Sequence, residues 1–192
     1  MAPRNLIGAI METKTAITHI LASVAGIFWY GMTYGQDSGQ ILVQERWETG
    51  NKHIYVYVSL PDCTWEEALN DLNGLLTGFH LATITSQEEH DFLISLLDEV
   101  PSFSQGWLGG YQEPPEEPDP AAGWTWVTGE MWSYTNWYFG EPNDGGGCLC
   151  ENHLTIDFHR GWNDEGTAIT TVSGYFAESF EPLFWDGFED RR

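Results

Sequence analysis

Basic side chains are scarce in this chain. There are 7 against 29 acidic ones, for a formal net charge of −22. Between Lys52 and Arg191 only Arg160 is basic. A surface so short of cations repels phosphate backbones and excludes nucleic acid as a partner. Anionic membranes are disfavoured for the same reason. The acid excess suits cation binding, and it suits equally a solvated acidic surface that keeps a protein dispersed. Cysteine is scarce too: the 3 present are Cys63, Cys148 and Cys150. An odd count cannot close an intrachain framework. Cys148-Leu149-Cys150 lacks zinc-knuckle spacing, and no second cysteine pair completes four ligands. Cysteines two apart also meet the geometry of an ordinary disulfide poorly. They are expected as free thiols, or as a cross-link to another chain. No Gly-x-Ser-x-Gly elbow, phosphate loop or zinc-helix motif occurs, and no general-base arrangement stands out, so no enzyme is expected.

Aromatics, by contrast, are abundant. They make up 15% of the chain, with 10 Trp, and hydrophobic content is 42%. That is enough large apolar surface for one globular domain with end segments. Residues 15–36 carry no formal charge, and Lys14 precedes an apolar run through Tyr30. Residues 1–35 therefore read as a secretory signal or signal anchor, with Met11 an alternative start. This places the protein outside the cell or on its surface, with membrane contact only if the segment is retained.

Residues 36–52 are polar and read as a linker. His53–Ser59 is β-branched and aromatic, the pattern of a strand. Thr64-Trp65-Glu66-Glu67 forms a capping box for a helix through about Leu76. His80–Ile84 is a short strand. Ser86-Gln87-Glu88-Glu89 reads as a second capping box, with Phe92, Leu93, Leu96 and Leu97 as the apolar stripe of its helix. After Pro101 no helical period returns. Short strands are expected at 106–109, 124–127, 153–157 and 172–178. Helices confined to the first half before an irregular β half indicate α+β. The globular part is 53–178, and residues 179–192 are an acidic, aromatic tail.

Two polar triplets lie in the β half, Glu141-Pro142-Asn143 and Trp162-Asn163-Asp164, with Glu151 between them. Carboxylates and carboxamides are hard oxygen donors of the kind calcium collects, six to eight to a shell. Convergence of Glu141, Asn143, Glu151, Asn163 and Asp164 would leave part of that shell open to a ligand's hydroxyls. The same residues also suit ordinary turns. His153 and His159 hint at zinc, but the oxygen-rich surroundings favour a harder ion. Trp107, Trp126, Trp137 and Trp162 are expected in the core.

The order of these signals resembles a C-type lectin domain: the Trp65-Glu66-Glu67-Ala68 helix, His80-Leu81-Ala82-Thr83-Ile84, Glu88–Leu93, Trp107-Leu108-Gly109-Gly110, Asn136-Trp137 and the two triplets. The resemblance implies a two-helix α+β fold with small antiparallel sheets and a long loop region near 111–165 holding calcium. It implies a cis bond before Pro142. It makes Glu141, Asn143, Glu151, Asn163 and Asp164 the metal ligands, and Glu141, Asn143, Glu151 and Asn163 the sugar contacts. The Glu-Pro-Asn form goes with mannose-type sugars, those with vicinal equatorial hydroxyls. The partners implied are glycans or glycoconjugates, with a multimer compatible. A second function stays open: an adhesion or protein-binding module in which calcium is only structural. The family's two usual disulfides are missing, since their positions match Leu72 with Ala177 and His153 with Thr167. Of an auxiliary metal site only Asp144 is recognisable.

Overall fold

The computed structural model describes residues 38–115, 117–145, 149–166 and 172–179. The expected leader at 1–35 and the tail beyond Ser179 lie outside the described residues. Within them the elements run β1 (Gln40–Arg46), β2 (Ile54–Ser59), α1 (Trp65–Leu75), β3 (Phe79–Leu81) and α2 (Gln87–Leu96). After a 3₁₀ turn (Leu97–Glu99) come β4 (Gln105–Gln112), β5 (Trp124–Trp126), β6 (His153–Ile156), β7 (Trp162–Glu165) and β8 (Val172–Ser179). The class is α+β, as the order of signals predicts.

Both helices start where the sequence puts them. Thr64 Oγ1 accepts from Glu67 N (3.1 Å), and Glu67 Oε2 accepts from Thr64 N (2.8 Å), so the first capping box is complete. The second is only half a box. Ser86 Oγ accepts from Glu89 N (3.2 Å), but the Glu89 carboxylate turns to Thr85 N (2.6 Å) and Thr85 Oγ1 (3.0 Å) and meets the Tyr55 hydroxyl. Glu89 is buried beneath its helix, where these donors outcompete the cap.

The strands form one sheet in the order β1-β2-β8-β4-β6-β7, with β3 added to β8 and β5 to β4. Among the described residues every strand pairing is antiparallel except β4 with β8. The expected linker at 36–52 is corrected: it contains β1, which pairs with β2 along its length. Its edge position explains the misreading. An edge strand keeps polar side chains such as Gln40, Gln44 and Glu45 towards water, and only Val43 is fully buried. β7 escaped for a related reason, because its four residues include the polar triplet.

The sheet is covered on both faces, and strand periodicity sorts side chains between them. On β2, Tyr55 and Tyr57 join Leu93, Leu96 and Leu97 of the α2 side. Val56 and Val58 join Ala68 and Leu72 of α1. On β8, Phe176 goes to the first cluster, and Tyr175 and Ala177 to the second. Strands buried on both faces read as continuous apolar runs. Leu72 and Ala177 therefore sit in one packed cluster where the family resemblance would place a bridge. His153 is buried too, its ring 4.6 Å from that of Trp65 and 6.2 Å from that of Trp107. Burial lowers its pKa. Thr167 lies outside the described residues.

Candidate functional site

The long segment between β5 and β6 is held by indole packing and by β7. Trp126 meets Trp162 edge to face (5.7 Å), and Trp132 stacks on Trp124 (5.6 Å). Trp107, Trp126 and Trp162 are buried as expected, and Trp137 packs partly buried against the cluster of Trp126 and Trp162. Trp162 N donates to Asn136 O and Tyr138 N to Trp162 O, both at 2.8 Å. Glu141 N then donates to Tyr138 O (2.9 Å), closing a tight turn, and the Glu141–Pro142 bond is cis. A second cis bond lies at Glu113–Pro114. One loop residue departs from expectation: Cys150 is disulfide-bonded, not a free thiol. Cys63 is free and buried, and burial pushes its thiol up to about 12.

Asp164 is the anchor of the site. Nearly fully buried, it accepts from Asn143 N with both oxygens (3.0 Å each) and from Asp144 N (2.7 Å). Asp144 repeats the device one step on. Its oxygens accept from the backbone N–H groups of Leu149 (2.7 Å), Cys150 (3.0 Å) and Glu151 (3.2 Å). Those bonds to its charged form lower its pKa, against the opposing effect of desolvation. Asp144 thus organises the loop, and both its oxygens already serve backbone donors. Glu151 accepts from Gly145 N, and Asn143 Nδ2 donates to Glu141 Oε2.

The structure brings Glu141, Asn143, Glu151 and Asp164 together. Gly145 reports the convergence: a Cβ there would lie 3.0 Å from Asn143 Oδ1 and 3.0 Å from each Glu151 carboxylate oxygen. Three side-chain oxygens thus crowd against Gly145, close enough that a methyl group there would press on them. Asn163 precedes Asp164 on β7 and makes its own hydrogen bond there. β7 alternates, with Trp162 and Asp164 buried and Asn163 and Glu165 half-buried. Asn163 Nδ2 donates to Glu165 Oε2 (3.3 Å), as does Gln105 Nε2 (3.1 Å). Glu165 is an acid that sequence reasoning missed. Its signal is its place two residues after Asn163 on a strand, hence on the same face. The aromatics beside the turn, Tyr138, Phe139 and Phe158, were missed as well, and His159, weighed above only as a zinc donor, lies among them.

The electrostatics are those of acids crowded without a counter-charge. The Glu141 carboxyl is raised to about 7, first by burial, then by its hydrogen bond to Asp164 and the charges of Asp164, Glu151 and Asp157. Glu151 is also raised to about 7, by burial and the charges of Asp164, Glu165 and Asp144, against the Gly145 N–H bond that favours its ionised form. Burial raises Glu165 in the same way. Such a group either holds protons or takes a cation. Among the described residues no group of three or more His, Cys, Asp or Glu side chains is placed to hold a metal ion as it stands. What fits a hard cation is the donor chemistry, the carboxylate and amide oxygens of Glu141, Asn143, Glu151 and Asp164 gathered at one turn.

No family model matches the chain. It is 30% identical over 127 residues to a protein named "Lectin" from Pleurodeles waltl, covering 62% of this chain and 66% of that one. It is 32% identical over 108 residues to Ladderlectin of Oncorhynchus mykiss, covering 54% of this chain and 53% of the relative. A type-2 ice-structuring protein from Hemitripterus americanus is another relative, at 31% identity and 57% and 59% coverage. The chain thus spans between about half and two thirds of the length of the relatives it matches. Among solved structures, the mouse scavenger receptor C-type lectin carbohydrate-recognition domain superposes with a TM-score of 0.54 at 21% identity. That match covers 68% of this chain and 92% of that domain. The fold is that of C-type lectin domains, and two of these three relatives are lectins by name.

Proposed function

We propose that this C-type lectin-like domain is a calcium-dependent carbohydrate-binding module for mannose-type sugars. The observation that carries the reading is the gathering of Glu141, Asn143, Glu151 and Asp164 at one turn, with the Glu141 and Glu151 carboxyls facing Asp164 and no counter-charge beside them. Glu141, Asn143, Glu151 and Asp164 would hold the cation, with Asn163 completing the set from the adjoining strand face. Bound there, calcium supplies open coordination positions to two vicinal hydroxyls and neutralises the crowded acids. The chain's own side chains supply direction. The Asn143 and Asn163 amides donate to the hydroxyl oxygens, and the Glu141 and Glu151 carboxylates accept the hydroxyl protons. Asp164 keeps Asn143 and Asp144 in register through their backbone N–H groups. A shallow polar site of this kind binds one sugar weakly and gains through multivalency.

The expected setting is outside the cell or on its surface, which rests on residues 15–36. Among the described residues no helix is long and apolar enough to cross a membrane.

The test is a glycan array run in calcium and in chelator. Calcium-dependent retention on mannose, fucose or N-acetylglucosamine surfaces is the expected result. Glu141→Gln with Asn143→Asp should move preference towards galactose-type sugars, because donor and acceptor positions exchange. Calcium binding with no retained sugar would replace the lectin reading with the adhesion module.

A further inference from the structure

Five large hydrophobic side chains are exposed among the described residues. Two of them, Tyr138 and Phe158, cluster with His159 beside the turn that carries Glu141, and Phe139 follows Tyr138 in the chain. Phe139 is 94% exposed and Phe158 63%. The Tyr138 and His159 rings stack in parallel, 4.5 Å apart and 4° from coplanar, and Phe158 lies against His159 at 3.8 Å. A soluble protein rarely leaves such a group of rings in water without a use for it.

The rings are set on stiff backbone. Tyr138 is tied to β7 through Trp162 O, and Gly161 lets it come close, since a Cβ there would lie 2.7 Å from that of Tyr138. The turn bearing Phe158 and His159 is closed by Asp157 N to Gly161 O and Arg160 N to Asp157 O (3.0 Å each), and by His159 N to Asp157 Oδ1 (2.7 Å). His90 Nε2 of α2 reaches Arg160 O at 3.0 Å and fastens the turn to the helix. A platform so held costs little ordering when it is covered.

We propose that this platform is a second carbohydrate subsite, which receives the apolar C–H face of the sugar next to the one held at Glu141 and Asn143. The inference rests on the lectin reading and extends it from a single sugar to an oligosaccharide. Continuity is the first argument: Tyr138 O accepts from Glu141 N, so rings and candidate ligands share one turn. Chemistry is the second. A pyranose has a hydroxyl rim and a C–H face, and the surface here changes from carboxylates to ring faces over those few residues. The negative face of an aromatic ring attracts the positively polarised C–H groups. Scale is the third. Three rings offer a few hundred Å² at most, short of the roughly 800 Å² each partner buries in a standard protein interface. The net charge of −22 argues against an anionic lipid surface.

The experiment is calorimetric titration of the full chain in calcium with methyl α-mannoside and with an α-linked mannotriose, for wild type and the double variant Phe158→Ala/His159→Ala. Tyr138 is left intact because its backbone closes the Glu141 turn. Wild type should bind the trisaccharide about tenfold more tightly than the monosaccharide, the order expected for one or two aromatic contacts. The double variant should lose that gain and keep its monosaccharide affinity. A wild type that binds both sugars equally, or a variant that retains the gain or loses the monosaccharide as well, overturns the subsite and leaves the lectin reading standing. A wild type that binds neither sugar overturns the lectin reading and the subsite with it. Sedimentation with phosphatidylcholine vesicles, or self-association, that the double variant abolishes would assign the rings to a lipid or protein surface and overturn the subsite.

Discussion

Replacing Asp164 with alanine should cost stability even when calcium is absent. Its carboxylate is 1% exposed and serves two backbone donors, Asn143 N at 3.0 Å and Asp144 N at 2.7 Å. Each bond to a charged acceptor contributes about 1.5–3 kcal/mol, and truncation leaves both N–H groups facing a void. Relief of repulsion with Glu141 and Glu151 offsets part of that loss. The net expectation is about 2 kcal/mol, or roughly 8 °C of melting midpoint for a domain of this size. The assay is a thermal melt in chelator, followed by circular dichroism, of wild type, Asp164→Ala and Asp164→Asn. Asparagine keeps one acceptor oxygen and should fall between the other two. Midpoints in chelator that coincide for all three would refute the reasoning. Asp164 would then matter only as a cation ligand, with a loss visible in calcium alone.

The pH dependence has a definite sign. Glu141 and Glu151 hold protons up to about 7 in the metal-free fold, where the usual value is 4.5. Between those values the folded state binds protons that the unfolded chain has released, so stability falls as pH rises through that window. Glu89 and Glu165, raised by burial, act in the same sense; His90 and His153, lowered by burial, act in the opposite one. Urea melts in chelator at pH 5 and pH 8 should therefore differ more for wild type than for Glu151→Gln, and calcium should stabilise more at pH 8. Equal pH dependence in the two proteins would remove Glu151 from the account. Leu72→Ala should cost about 2–5 kcal/mol, since it opens a cavity against Ala177 where no bridge limits the damage; a urea midpoint within experimental error of wild type would show that packing there is dispensable.

Much of the fold was legible because helices announce themselves locally. Thr64 and Ser86 mark their helix starts through hydrogen bonds that span three residues. The inner strands show as apolar runs because both faces of the sheet are covered. β1 and β7 were not legible. An edge strand may be polar without penalty, and a strand that carries candidate ligands looks like a turn. The second capping box failed because the Glu89 carboxylate finds other donors, Thr85 just before the helix and the buried Tyr55 hydroxyl from a strand distant in the chain.

The sequence by itself determined the class, the two helices, the aromatic core and the residues that could serve a hard cation, since these depend on side-chain type and short spacing. Only the tertiary structure decided how those residues are used. It gave Asp164 and Asp144 to the backbone, paired the Asn163 amide with Glu165, and exposed Phe139 and Phe158 beside the Glu141 turn. Each of these outcomes depends on which way a side chain points and on what lies across from it. Strand pairing and loop closure fix both, and they join residues that the linear order keeps apart.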